Sequence, residues 1–188
     1  MEFLHTHKQI NAWAEEFKAG QHQAAEKMFN HFYPAIYRFA RSRINDKDAA
    51  ADIAQNVFLK VARMIITFDQ KKGNFNTWIW QIARNTLTDH LRGVQRNQTN
   101  SESAMDKSID EYAEAPKSTM MTSSDAYHVI DIVKTFPPED QELFRLRYIS
   151  ELSYEEISTI TGRTENALRV AVHRIREKIR LEYKDYDK

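Results

Sequence analysis

The chain has 188 residues, 41% of them hydrophobic and 29% charged, the balance of an ordinary soluble protein rather than a disordered or membrane-embedded one. Its 27 basic residues equal its 27 acidic ones, and it has no cysteine, which excludes disulfides, thiolate metal sites and cysteine nucleophiles. No apolar run approaches the roughly 20 residues of a membrane span. The opening MEFLHTHKQI lacks a charged start leading into an apolar stretch, so a cytoplasmic location is expected, with no membrane insertion.

Four glycines and apolar residues at spacings of three and four predict an all-α fold: two small helical modules joined by a flexible linker, the second a helix-turn-helix. In the first 22 residues, Phe3, Ile10, Trp13 and Phe17 fit the apolar face of a short helix that either packs on the next module or awaits a partner. The first module covers 23–92. Phe29, Phe32, Tyr33, Ile36, Tyr37 and Ala40 mark a helix ending near Asn45 and Asp46. A second helix begins about Asp48, with Ile53, Val57, Val61 and Ile65 inward and Asp52, Gln55, Asn56, Lys60 and Arg63 outward. The turn-rich DQKKGN at 69–74 breaks the pattern at Gly73. A third helix spans roughly 76–92, with Asn74 or Asn76 as its cap.

On that third helix Ile79, Ala83, Leu87 and His90 lie close together, with Trp80, Ile82 and Leu91 at the edges of their face. Thr77, Gln81, Arg84, Asn85, Thr88 and Arg92 point away, with Trp78 at their edge. Aromatic and amide groups beside cations are what single-stranded DNA asks for: stacking, base-edge hydrogen bonds and phosphate neutralisation. The plainer reading makes both tryptophans core residues. It is preferred for Trp80, and Trp78 is left open.

Residues 93–127 are rich in Ser, Thr, Asn, Gln and acids, a composition that does not offset the entropy of ordering, so a flexible linker is expected. The competing reading is a poorly patterned helical stretch near Ile109 and Tyr112. The charges are segregated: residues 24–92 carry 11 Lys/Arg against 6 Asp/Glu, whereas 93–127 carry 3 against 6. A neutral total therefore hides a basic module and an acidic linker.

The second module covers 128–182, followed by a tail at 183–188. Pro137 and Pro138 suit a helix start, giving a helix over about 138–149. Ser153 and Glu156 have the spacing of a capping box, and Leu152 with Ile157 that of a hydrophobic staple. The short helix they open ends at Gly162, and Thr164 caps a final helix reaching about 180. Helix, tight glycine turn and longer helix form a helix-turn-helix signature. Leu168, Val172, Ile175 and Ile179 share one stripe of the last helix, with Ala171 beside it. Opposite lie Asn166, Arg169, Val170 and His173, flanked by Arg174 and Arg176. Amide and guanidinium groups there would reach base edges in a major groove, and flanking cations phosphates. The alternative is a solvated polar face on an ordinary three-helix domain.

Nothing points to catalysis: there is no glycine-rich phosphate loop, and no acid pair or metal cluster at a working spacing. The chain is expected not to be an enzyme and to need no cofactor or metal. His5 and His7 stand two apart near the terminus, and His31 and His128 are isolated.

Three strings resemble bacterial RNA polymerase sigma factors of the extracytoplasmic-function (ECF) type, the compact class that keeps only regions 2 and 4. YPAIYRFARSRINDKDAAADIAQNVFLKVAR (33–63) is similar to the start of region 2, and FNTWIWQIARNTLTDHLR (75–92) to its promoter-reading end. FPPEDQELFRLRYISELSYEEISTITGRTENALRVAVHRIREKIR (136–180) resembles region 4. The resemblance implies a factor that binds core RNA polymerase and directs promoter-specific initiation. It puts Asp52, Gln55, Asn56 and Phe58, with outward Lys60, where the family grips the polymerase clamp helices. It puts the turn at 69–76, including Lys71, Lys72 and Asn74, with Asn85 on the next helix, where a flipped base of the downstream promoter element is held. Thr77, Trp78, Gln81, Arg84, Thr88 and Arg92 extend that surface. The upstream element would be read as duplex around Thr164, Glu165, Asn166, Arg169, Val170 and His173, with Arg174 and Arg176.

Three positions depart from the family pattern: Asn56 where an acid is usual, Ala62 where a tryptophan is common, and Ala171 where a basic residue is frequent. The last suggests an unusual upstream element. The implied partners are core polymerase, promoter DNA and an anti-sigma factor, with a monomer when free of them. The rivals are a standalone helix-turn-helix regulator acting without polymerase, and an enzyme of nucleic-acid metabolism carrying a helix-turn-helix.

Overall fold

A computed structural model describes residues 6–100 and 124–186. These form eight α-helices and no strand, and the chain divides into two compact units, Met1–Tyr112 and Ala113–Lys188. Phe3, Ile109 and Tyr112, with all of 101–123, lie outside the described residues, so the expectations placed on them are not addressed.

The first unit opens with α1 (His7–Lys18), started by a capping box in which Thr6 and Gln9 satisfy one another's backbone N–H. Ile10 and Ala14 are buried, and α1 packs on α2 (His22–Arg41) and on α4 (Phe75–Asn100). The apolar face expected of the N-terminal segment is thus used within the first unit. Helix α2 stops at Arg41, short of the expected Asn45. Arg41 is only 5% exposed, and its guanidinium donates to the carbonyls of Ile44 and Asn45, curling the chain into a turn before the helix can continue. Asp46 then caps α3 (Lys47–Met64) by accepting from the N–H groups of Asp48 and Ala49. A single 3-10 turn, Ile65–Thr67, leads into the 68–74 loop.

The core between α2, α3 and α4 contains Met28, Phe32, Ile36, Val57, Val61, Phe75, Ile79 and Trp80, all essentially inaccessible. Each such side chain contributes about 1.5–3 kcal/mol of burial. Trp80 is a core residue, its ring edge-on to Phe39. Helix α4 runs on to Asn100, through residues expected to start the linker. Propagating a nucleated helix fixes one residue per hydrogen bond, so the polar stretch after Arg92 extends without an apolar face of its own.

In the second unit α5 (Ser124–Lys134) precedes the prolines; the sequence reading had no helix here. Helix α6 (Pro138–Phe144) continues as a π-type turn, Arg145–Ile149, so the expected 138–149 helix forms with a change of winding. Helix α7 (Tyr154–Thr161) starts at the reciprocal Ser153–Glu156 capping box, with Leu152 and Ile157 buried as the staple. It ends at Gly162, whose φ of +73° lies in the left-handed region. Helix α8 (Glu165–Tyr186) follows, its first turn capped by Thr164 Oγ1 accepting from Ala167 N–H at 3.3 Å.

Candidate promoter and polymerase interfaces

Leu168, Ala171, Val172 and Ile175 bury one side of α8 against α6 and α7. Asn166, Arg169, Val170 and His173 are exposed on the other, as the periodicity predicts. Val170 is 64% exposed, an unsatisfied apolar side chain on a polar face, of the kind that meets a thymine methyl in a major groove. Arg169 is held from two sides: its Nη2 lies 3.1 Å from a Glu165 carboxylate oxygen, and its guanidinium stands over the Tyr154 ring at 4.5 Å. Arg147 approaches the same ring at 5.1 Å and also donates to the Leu152 carbonyl. Tyr154, which the sequence reading missed, therefore organises the cationic edge of the helix-turn-helix. Partial burial holds the nearby Tyr148 hydroxyl above its ordinary pKa, against the opposing pull of Arg176.

Some expected upstream contacts have other work. Arg174 reaches back to Asp140 at 2.9 and 3.0 Å, and Asp140 is 4% exposed at the first turn of α6. A buried carboxylate needs this partner, so Arg174 is a structural cation before it is a phosphate contact. The Thr164 hydroxyl is engaged as the cap of α8, and Glu165 by Arg169. Ala171 is 4% exposed and faces the core, so the departure at that position concerns packing and does not point to an unusual upstream element.

In the first unit, Asp69 shapes the loop after Phe68. Its side chain accepts from Lys71 N–H at 3.0 Å and its carbonyl from Lys72 N–H at 2.9 Å. That turn leaves Lys71 and Lys72 exposed. Asn74 Oδ1 accepts from Thr77 N–H at 2.7 Å, so Asn74 is the cap of α4. Thr77 is 7% exposed. That burial contradicts its expected place on an exposed DNA-binding face. The Trp78 ring meets Phe68 and Phe75 in tilted contacts, with centroids at 5.6 and 5.3 Å, and is half-buried. Trp78, Gln81, Asn85, Thr88 and Arg92 then follow one stripe of α4, with Arg84 beside it. Asn85 and Arg92 are exposed, the others half-buried, and the Thr88 hydroxyl donates to the Arg84 carbonyl.

On α3, Asp52, Gln55 and Asn56 form an exposed row that continues through Leu59 and Arg63. Leu59 is 55% exposed and borders an open groove of about 320 Å³ between α3 and α4, to which Asn56, Lys60 and His90 also contribute. Lys60 pairs with Asp89 of α4 at 3.8 Å. Phe58 turns the other way, half-buried against Phe29 and Tyr33, which makes an aromatic patch beside Gln55. Leu59 was legible as a large apolar residue at outward spacing on α3, where Met64 is exposed as well. Phe29 and Tyr33 were not, because a strong helical period reads all aromatics as core.

The family model for sigma-70 region 2 matches residues 28–97, and that for sigma-70 region 4 matches 129–179, together more than half of the chain. The chain belongs to the sigma-70 family, as an ECF sigma factor with regions 2 and 4. Over 161 residues it is 27% identical to the ECF RNA polymerase sigma factor BldN of Streptomyces coelicolor, a match covering 85% of this chain and 60% of that protein. Over 165 residues it is 24% identical to the ECF RNA polymerase sigma factor SigM of Bacillus subtilis, covering 84% and 94%. The fold is shared with CnrH, solved in complex with the cytosolic domain of CnrY (TM-score 0.68, 18% identity, 95% and 98% covered). It is also shared with the sigma factor RpoE of Bartonella quintana, solved with the anti-sigma factor NepR (TM-score 0.67, 21% identity, 85% and 96% covered). No helix among the described residues is long and apolar enough to cross a membrane.

Proposed function

We propose that this chain binds core RNA polymerase and directs it to promoters, reading an upstream element as duplex through α8 and trapping the melted downstream element with the 69–74 loop and α4. The observation that carries this reading is the α4 stripe of half-buried Trp78 and Gln81 with exposed Asn85 and Arg92, beside two exposed lysines, on a chain that also presents a helix-turn-helix. Duplex recognition alone needs only α8. A second surface combining an aromatic ring, amides and cations suits unstacked bases. Extruding a base costs a few kcal/mol, which stacking and amide contacts must offset.

In this reading the α3 row from Asp52 to Leu59, with Phe58 on its flank, meets the polymerase. Apolar Leu59 and Phe58 supply buried area, and the polar row fixes register. An anti-sigma factor covering these surfaces would hold the factor inactive; RpoE, which shares the fold, was solved in complex with the anti-sigma factor NepR. The chain itself performs no chemical step; bond making belongs to the polymerase.

The decisive experiment is transcription with purified chain and bacterial core polymerase on promoter fragments from the same genome, starting with the DNA upstream of its own gene. Discrete transcripts that depend on the factor are expected. A chain that neither binds core nor supports initiation, yet binds duplex DNA specifically, would be a standalone regulator.

A further inference from the structure

Helix α1 lies wholly before residue 28, where the match to region 2 begins, yet it holds both ends of the loop assigned above to the downstream element. Lys18, in its last turn, donates from Nζ to the Phe68 carbonyl at 2.8 Å, where the loop starts. Asn11, two turns earlier, accepts on Oδ1 from the Phe75 N–H at 2.7 Å, where the loop ends and α4 begins. The partners stand 50 and 64 residues apart in sequence, so neither bond is a local by-product of helix formation. Both anchor residues are core aromatics, Phe68 at 2% and Phe75 at 0% exposure, and both meet the Trp78 ring in tilted contacts.

The bond at Phe75 has a further consequence. The first N–H groups of a helix have no partner within it. In α4 one of them is satisfied by Asn74 from within the loop and another by Asn11 from outside the loop. The side chain that closes the cap is thus also the one that fixes where α4 starts relative to α1. A loop pinned at entry and exit samples fewer conformations, so less ordering entropy is lost when it closes on a strand.

We propose that α1 is a positioning element for downstream-element recognition, with Asn11 and Lys18 holding the 69–74 loop and Trp78 in the geometry that receives the exposed strand. The proposal rests on the promoter-reading assignment above. Asn11 and Lys18 themselves touch no DNA in this scheme. Their effect passes through Phe75, Phe68 and Trp78, and so falls on discrimination at the downstream element rather than on core or upstream binding.

The test uses holoenzyme assembled with Asn11→Ala, Lys18→Met and the conservative Asn11→Asp and Lys18→Arg, on premelted templates with a matched or scrambled downstream element. Asp keeps an acceptor oxygen at a helix N-terminus and Arg keeps a donor, so both should restore what Ala and Met lose. Asn11→Ala and Lys18→Met should each lower matched-over-scrambled preference by about three- to ten-fold, the size of one hydrogen bond, with core affinity unchanged. Hydrogen exchange on the free chains should show faster exchange at the Phe75 amide in Asn11→Ala and not in Asn11→Asp. Should Asn11→Ala fold poorly, Lys18→Met carries the same measurement. A wild-type holoenzyme without preference would overturn the promoter-reading assignment, and this inference with it. A discriminating wild type whose Ala and Met variants discriminate equally well, or lose core binding in proportion, would overturn the role of α1 alone.

Discussion

Arg169 and Arg174 stand five residues apart on α8, and sequence alone treats both as DNA contacts. Their surroundings separate them. Arg169 is 59% exposed in its side chain and is oriented by Glu165 and the Tyr154 ring without being consumed by either. Arg169→Ala should therefore relax preference for the upstream element by about 1–3 kcal/mol, measured as holoenzyme binding to matched against scrambled duplex; equal losses on both would make it a phosphate contact. Tyr154→Ala should lower the same preference by a smaller amount, about 0.5–1 kcal/mol from the lost cation–π contact, with Tyr154→Phe close to wild type. Arg174 behaves differently because its partner is buried. Arg174→Ala strands the Asp140 carboxylate and should destabilise the second unit by about 2 kcal/mol, read in urea denaturation. Its DNA preference, measured where the variant is folded, should be that of the wild type.

At the level of the element, legibility followed the locality of the signal. The α7 capping box, the Leu152–Ile157 staple and the stop at Gly162 were all readable, because each is written in residues that touch their own neighbours. No heavy atom stands within 4 Å of a Cβ added at Gly162, so Gly162→Ala meets no clash and its cost comes from the positive φ alone, about 1 kcal/mol in thermal or urea unfolding. A much larger loss would mean the turn is packed more tightly than its geometry indicates. The end of α2 was misjudged because a buried Arg41 folds back onto carbonyls, a use of arginine that a polar letter in a pattern does not announce. Thr77 was misplaced for a related reason. Helical spacing assigns it to the outer face, but in the first turn of α4 its side chain is buried, with its N–H held by Asn74. Helix α4 outran its apolar period, running on through Gly93 to Asn100.

Across the whole molecule the decisive quantity is the distribution of charge and not its sum. A neutral chain gains little from general attraction to DNA, so free factor should bind weakly and the affinity of the complex should come from local cations placed on the strand. Lys71 and Lys72 are the clearest such pair: exposed, adjacent to the α4 stripe, and held outward by the Asp69 turn. If both meet phosphates of the melted strand, Lys71→Gln with Lys72→Gln should reduce the slope of log affinity against log salt by about 1.4, the value for two single-strand phosphates. Sequence preference should be retained, because phosphate contacts carry none. Asn85→Ala should do the reverse, lowering preference for the downstream element while leaving the salt slope in place. The two variants thus separate attraction from reading within one surface. A shared outcome, in which both change slope and preference together, would mean that the loop and α4 reorganise as a unit on binding and that neither lysine acts as an independent phosphate contact.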